Sequence, residues 1–172
     1  MKKAFTLLEL VFVIAMLGVL ASIAIPKFAT NKNEADADII KNQIAQARAG
    51  LTAYANKQIL AGKSDIYPES LEKNADFNGK NRDVLFNEIL SNSTLKSNGQ
   101  SWSGGKNGWS TKAAYKTRYL IFVGGNIITM DYCSEKAGEG TSCRTKNEDY
   151  TGQLICTSDE AKCKIIGENS YR

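Results

Sequence analysis

Few side chains in this sequence are placed for chemistry, and the most isolated of them is Glu9. It is the one ionisable group in residues 5–25, FTLLELVFVIAMLGVLASIAI, where only Thr6 and Ser22 add further polarity. An acidic side chain within lipid costs about 2.5–3.5 kcal/mol at mid-span and less near the end of a span. Such a cost persists only where a partner compensates it. With no Lys or Arg in the run, the sequence points to a partner on another chain.

Two further groups invite a chemical reading. Cys133, Cys143, Cys156 and Cys163 are the only cysteines, and all lie in the last 40 residues. Their spacings differ from the close Cys pairs of structural zinc, and the chain has no His. Disulfides in an oxidising compartment are therefore expected, with no metal centre. Of the pairings that four cysteines allow, the local one is favoured, Cys133 with Cys143 and Cys156 with Cys163. Each short loop so closed contributes about 2–3 kcal/mol in the chain-entropy picture.

The other group lies in residues 89–130, a stretch without Asp or Glu. There Lys96, Lys106, Lys112, Lys116 and Arg118 alternate with Trp102, Trp109, Tyr115 and Tyr119. Cations beside exposed rings could hold a nucleic-acid backbone and stack its bases. The bland alternative puts the rings in a core and leaves the lysines to keep a sheet edge soluble. From residue 131 onward eight acids face six bases, so any basic face is local.

The absence of His removes Ser-His-Asp and Cys-His catalysis and most catalytic zinc sites. No P-loop occurs, nor a Gly-x-Gly-x-x-Gly between a strand and a helix. The expectation is a chain that is not an enzyme and carries no cofactor.

The helices and strands that carry these groups follow from periodicity. A helix over residues 5–25 would cover roughly 30 Å, the hydrocarbon thickness of a bilayer. Lys2 and Lys3 precede the run and outweigh Lys27 beyond it, so the bulk of the chain is read as facing outward from the cytoplasm. Pro26 should bend or loosen the helix. Residues 27–61 predict an amphipathic continuation with a packing stripe of Phe28, Ala35, Ile39, Ile44, Ala47, Leu51, Tyr54 and Ile59, and Gly62 is a natural stop. Residues 62–110 read as a variable, loop-rich region with a short helical pattern at 82–90. Strands are predicted at 119–123 and 127–132 around Gly124-Gly125-Asn126, and a second pair at 153–156 and 163–166 around a turn at 157–160.

The predicted architecture is α+β: a long N-terminal helix packed on a small antiparallel sheet of three to five strands. The organisation expected is 1–4 as a leader, 5–26 as a membrane helix and 27–172 as one head, with 111–172 holding the sheet and disulfide loops. The formal charge is +4, from 22 basic and 18 acidic side chains. Without Lys2 and Lys3 it is nearly balanced, which by itself implies no nucleic acid.

The segment Ala4-Phe5-Thr6-Leu7-Leu8-Glu9-Leu10 resembles the class III signal of type IV prepilins and type II secretion pseudopilins. Gly18 and Pro26 resemble that family's helix-loosening glycine and its proline. The likeness is specific over residues 1–30 and architectural beyond, where 66–71 is similar to the segment that follows the long helix in many pseudopilins. It implies cleavage by a prepilin peptidase between Ala4 and Phe5, although the family usually has Gly at the first position. It also implies methylation of the Phe5 amine, and a Glu9 that compensates the N-terminal amine of a neighbouring subunit. The implied role is structural, in a type IV pilus or a secretion pseudopilus serving protein secretion or DNA uptake. Implied partners are copies of itself or other pilin-like subunits, the peptidase, and an inner-membrane assembly platform with its ATPase. The implied location is a single pass of the bacterial inner membrane with the head in the periplasm. Secretion pseudopilins often bind calcium in a C-terminal loop; here Asp149, Asp159 and Glu160 offer oxygens without a spaced ligand loop, so metal is expected to be absent. A conventional signal peptide, or a plain anchor for a binding module, leaves Glu9 unexplained.

Overall fold

Helix α1 (Leu7–Leu60) runs for 54 residues and carries Pro26 inside it without ending there. It stops where the sequence places a glycine: Gly62 adopts φ 68°, a left-handed conformation that costs glycine nothing. The computed structural model describes residues 6–73, 84–97, 101–106, 116–134, 143–144 and 148–171. These fall into two compact units, Met1–Asp36 and Ala37–Arg172, and α1 contributes to both.

In the first unit the large apolar side chains from Leu7 to Phe28 are exposed. α1 is long and apolar enough to cross a membrane, and none of its apolar window is buried within the protein.

The second unit holds one antiparallel sheet in the order β1-β2-β3-β4. Its strands are β1 (Trp102–Lys106), β2 (Lys116–Val123), β3 (Asn126–Cys133) and β4 (Leu154–Cys156). A short helix α2 (Glu160–Ile165) follows. The architecture is therefore α+β, a long helix followed by a small antiparallel sheet. The β2–β3 hairpin forms as predicted, with Gly124 and Gly125 at φ 57° and 75° supplying the two left-handed residues of its turn. Alternation along β2 and β3 sends Tyr119, Ile121 and Val123, and Ile128, Met130 and Tyr132, into one core. Residues Ala37, Ile40, Ile44, Ala47 and Leu51 of α1 close the same core at three- and four-residue steps. Cys133, Cys143 and Ile155 form a smaller cluster with Tyr150 packed against it.

Four expectations need correction. The packing stripe of α1 is offset at both ends: Ile40 and Ala55 are buried, while Phe28, Ala35, Ile39 and Ile59 are exposed. The predicted strand at 163–166 lies in and just beyond α2, because Asp159 caps that helix by accepting from the Lys162 N–H at 3.0 Å. Residues 102–106, read as loop, pair with β2 from Trp102↔Ile121 to Lys106↔Thr117. A strong neighbouring strand recruits them despite their Ser and Gly. The helical pattern at 82–90 is a turn over its described residues: Val84 bridges Lys96, and Phe86 sits at φ 60°.

Candidate functional site

The polar side chains of the apolar run are hydrogen-bonded locally. Thr6 precedes the first residue of α1 and Glu9 lies three residues on, the Thr-x-x-Glu arrangement of a capping box. The Thr6 hydroxyl oxygen accepts from the Glu9 N–H at 3.2 Å. In return, Glu9 Oε2 accepts from the Thr6 N–H at 3.3 Å and from the Thr6 hydroxyl at 3.2 Å. Ser22 donates its hydroxyl to the Val19 carbonyl at 2.7 Å. Its own helix terminus thus supplies Glu9 with two hydrogen-bond donors but no opposite charge. The Thr-x-x-Glu spacing carried that signal in the sequence.

Ala4 and Phe5 lie outside the described residues. At Gly18 an added methyl would meet nothing within 4 Å, so this chain's own packing does not require the glycine. Pro26 is accommodated within α1.

In the head, Cys133 bonds Cys143 and Cys156 bonds Cys163, with Cα–Cα distances of 5.6 and 6.0 Å. The local pairing is therefore the observed one. The second bridge ties β4 to α2, where a hairpin had been expected. Arg48 extends this tie to α1: it donates to both oxygens of Glu168 at 2.8 and 2.7 Å, and to the Leu154 carbonyl at 2.9 Å. No sequence signal marked that pair, which spans 120 positions.

The basic and aromatic stretch is dispersed. Trp102 is 0% exposed, and its indole N–H donates to Gln43 Oε1 at 2.7 Å. Its ring packs edge-on against Phe86 at 5.4 Å. Tyr119 is equally buried. Arg118 is engaged by Asp131 through two hydrogen bonds of 2.8 and 2.9 Å, and that carboxylate holds the guanidinium's proton more firmly than usual. Lys96 is exposed. Lys106 ends β1 and Lys116 begins β2. Trp109, Lys112 and Tyr115 lie outside the described residues. Among the described residues, then, the rings that would stack bases are core residues and one of the cations is neutralised.

Sequence reasoning missed a buried polar cluster. Glu72, only 4% exposed, accepts from the Tyr119 hydroxyl at 2.8 and 3.0 Å. It also accepts from Ser70 Oγ at 3.0 Å and from the Phe86 N–H at 3.3 Å. Burial pushes its carboxyl above the usual range, and the hydrogen bonds oppose that shift. Burial, followed by the Glu72 charge, pushes the Tyr119 phenol well above its usual value. The cluster holds Phe86 in its left-handed conformation and completes the core; it has the geometry of a structural clasp. The oxygens considered for calcium are otherwise engaged: Asp149 accepts from the Thr151 N–H, Asp159 caps α2, and Glu160 accepts from the Ser170 N–H. Among the described residues no group of three or more His, Cys, Asp or Glu could hold a metal ion.

In comparisons with known proteins, no family model, no curated protein and no solved structure matches this chain.

Proposed function

We propose that this chain is a pilin-like structural subunit, held in a bacterial inner membrane by the first part of α1 with its head in the periplasm, and drawn into a pilus or pseudopilus. The observation that carries the reading is the apolar surface of α1: from Leu7 to Phe28 its large side chains are left uncovered by their own chain, and the stretch bears one carboxylate, near its start. Lipid can cover such a helix, and so can a bundle of identical helices. Leaving lipid is tolerable only if a filament core replaces it. The two disulfides suit an oxidising compartment, and Lys2 and Lys3 suit a cytoplasmic N-terminus. In this reading Ala4 and Phe5 flank the peptidase cut, Phe5 carries the methylated amine, and Glu9 meets the amine of a neighbouring subunit. The work of extraction comes from a separate ATPase.

The test is the intact mass and N-terminal peptide of the protein from its native membrane, together with the Glu9→Ala variant. A chain beginning at N-methylated Phe5, and a variant whose head folds but which enters filaments poorly, are the expected results. A chain still beginning at Met1 marks a plain anchor for a binding module, and a cut after residue 20 marks a conventional signal peptide. Normal filament entry by Glu9→Ala refutes the role given to the carboxylate.

A further inference from the structure

We infer that Thr6 is a positioning residue for Glu9: its hydroxyl and N–H together hold one carboxylate oxygen at the N-terminal pole of α1, so that the carboxylate meets a second subunit already oriented. The inference rests on the assembly role proposed for Glu9 and names the residue that sets its geometry.

Both Thr6 donors converge on Oε2, at 3.2 and 3.3 Å, and the Glu9 N–H returns a bond to the Thr6 hydroxyl at 3.2 Å. Oε1 makes no hydrogen bond to the described residues. A free glutamate side chain has three rotatable bonds and would spend them reaching for water at the membrane surface. Closing it onto Thr6 removes that freedom before any partner arrives, which lowers the entropy lost on association. It also keeps the negative charge at the positive end of the helix, where the backbone dipole favours it. The bonds come from a helix terminus and its neighbour in sequence, so the arrangement does not depend on the head. It survives removal of the leader as well, because the Thr6 N–H is an amide in either form of the chain. A cation approaching from another subunit can bind at Oε1 without displacing either Thr6 bond.

The experiment uses the full-length chain in its native membrane with three variants, Thr6→Val, Thr6→Ser and Glu9→Gln. Leader removal is first checked by intact mass, and assembly is compared among variants processed alike. Hydrogen exchange of the Glu9 amide is then read in vesicles, and filament incorporation in cells. Valine keeps the shape of threonine without the hydroxyl, so it should speed exchange about five-fold, the factor expected for losing one helix cap, and reduce incorporation by at least as much. Serine should restore both, and Glu9→Gln should fail in incorporation. If Thr6→Val leaves the exchange unchanged, the cap does not exist in lipid and the inference falls, whatever the filaments do. If exchange rises while incorporation stays at the native level, Thr6 only caps the helix and the positioning role is refuted. If the unaltered chain is never incorporated, the assembly reading fails and takes the positioning role with it, while the exchange data still decide whether the cap forms.

Discussion

Replacing Tyr119 by Phe isolates the buried clasp, because it removes one hydroxyl and leaves the ring. That hydroxyl donates to both oxygens of Glu72, at 2.8 and 3.0 Å. With Tyr119 at 0% and Glu72 at 4% exposure, water has no room to take its place. A hydrogen bond to a charged group contributes about 1.5–3 kcal/mol. A loss of about 2 kcal/mol at neutral pH is expected, roughly 30-fold in the unfolding equilibrium. The loss should depend on pH. The folded-state value of Glu72 lies above its usual 4.5, so between 4.5 and that value the native protein holds a proton that the unfolded chain has released. Stability from this group therefore rises as pH falls through the folded value towards 4.5, and is absent well above it. The hydroxyl lowers the Glu72 value, so Tyr119→Phe raises it further and steepens that gain. A protonated Glu72 also needs one donor fewer. The penalty should accordingly be largest above the folded value of Glu72 and shrink as the pH falls through it towards 4.5. Urea unfolding of the intact chain in detergent, followed by the fluorescence of buried Trp102, measures it. A penalty below about 0.5 kcal/mol at neutral pH, or one that grows on acidification, would refute the reasoning, since 0.5 is the spread of neutral surface substitutions.

Other perturbations follow from the same geometry. Reducing the Cys156–Cys163 bridge, or replacing both cysteines by Ser, should cost about 2.5 kcal/mol for the short loop it closes, read as a lower urea midpoint; an unchanged midpoint would mean that the Arg48–Glu168 tie holds the C-terminal segment alone. Gly152→Ala should cost about 3 kcal/mol or more, because φ is 73° and the new Cβ would sit 2.5 Å from the Tyr67 ring. Gly62→Ala, at φ 68° in open space, should cost only about 1 kcal/mol, and equal thermal shifts for the two would show that the Tyr67 contact carries no energy.

Much of the chain is legible without coordinates where a signal is local. The apolar run needs only its composition, the α1 stop only Gly62, and the β2–β3 hairpin only two glycines between β-rich segments. The disulfide pairing follows from the nearness of each cysteine to its partner in sequence. Thr6 and Glu9 belong with these, since a capping box lies within one helical turn. In each case the energy that decides the outcome comes from residues a few positions apart.

Residue types and spacings alone thus call for a long N-terminal helix with an apolar surface, a carboxylate at its start, and a small disulfide-bonded head. Tertiary structure alone decided which face of α1 is inside, since Ile39 and Ile40 are equally apolar and only the sheet against the helix selects Ile40. It also made a strand of Ser103-Gly104-Gly105, drew Trp102 and Tyr119 inward from a stretch whose composition allowed a binding face, and neutralised Arg118 with Asp131 across a strand pair. α2 formed where alternation suggested a strand, because a cap at Asp159 and a bridge back to β4 favoured a helix. Burial and charge pairing are properties of partners brought together from distant positions, and backbone preferences alone contain no record of who those partners are.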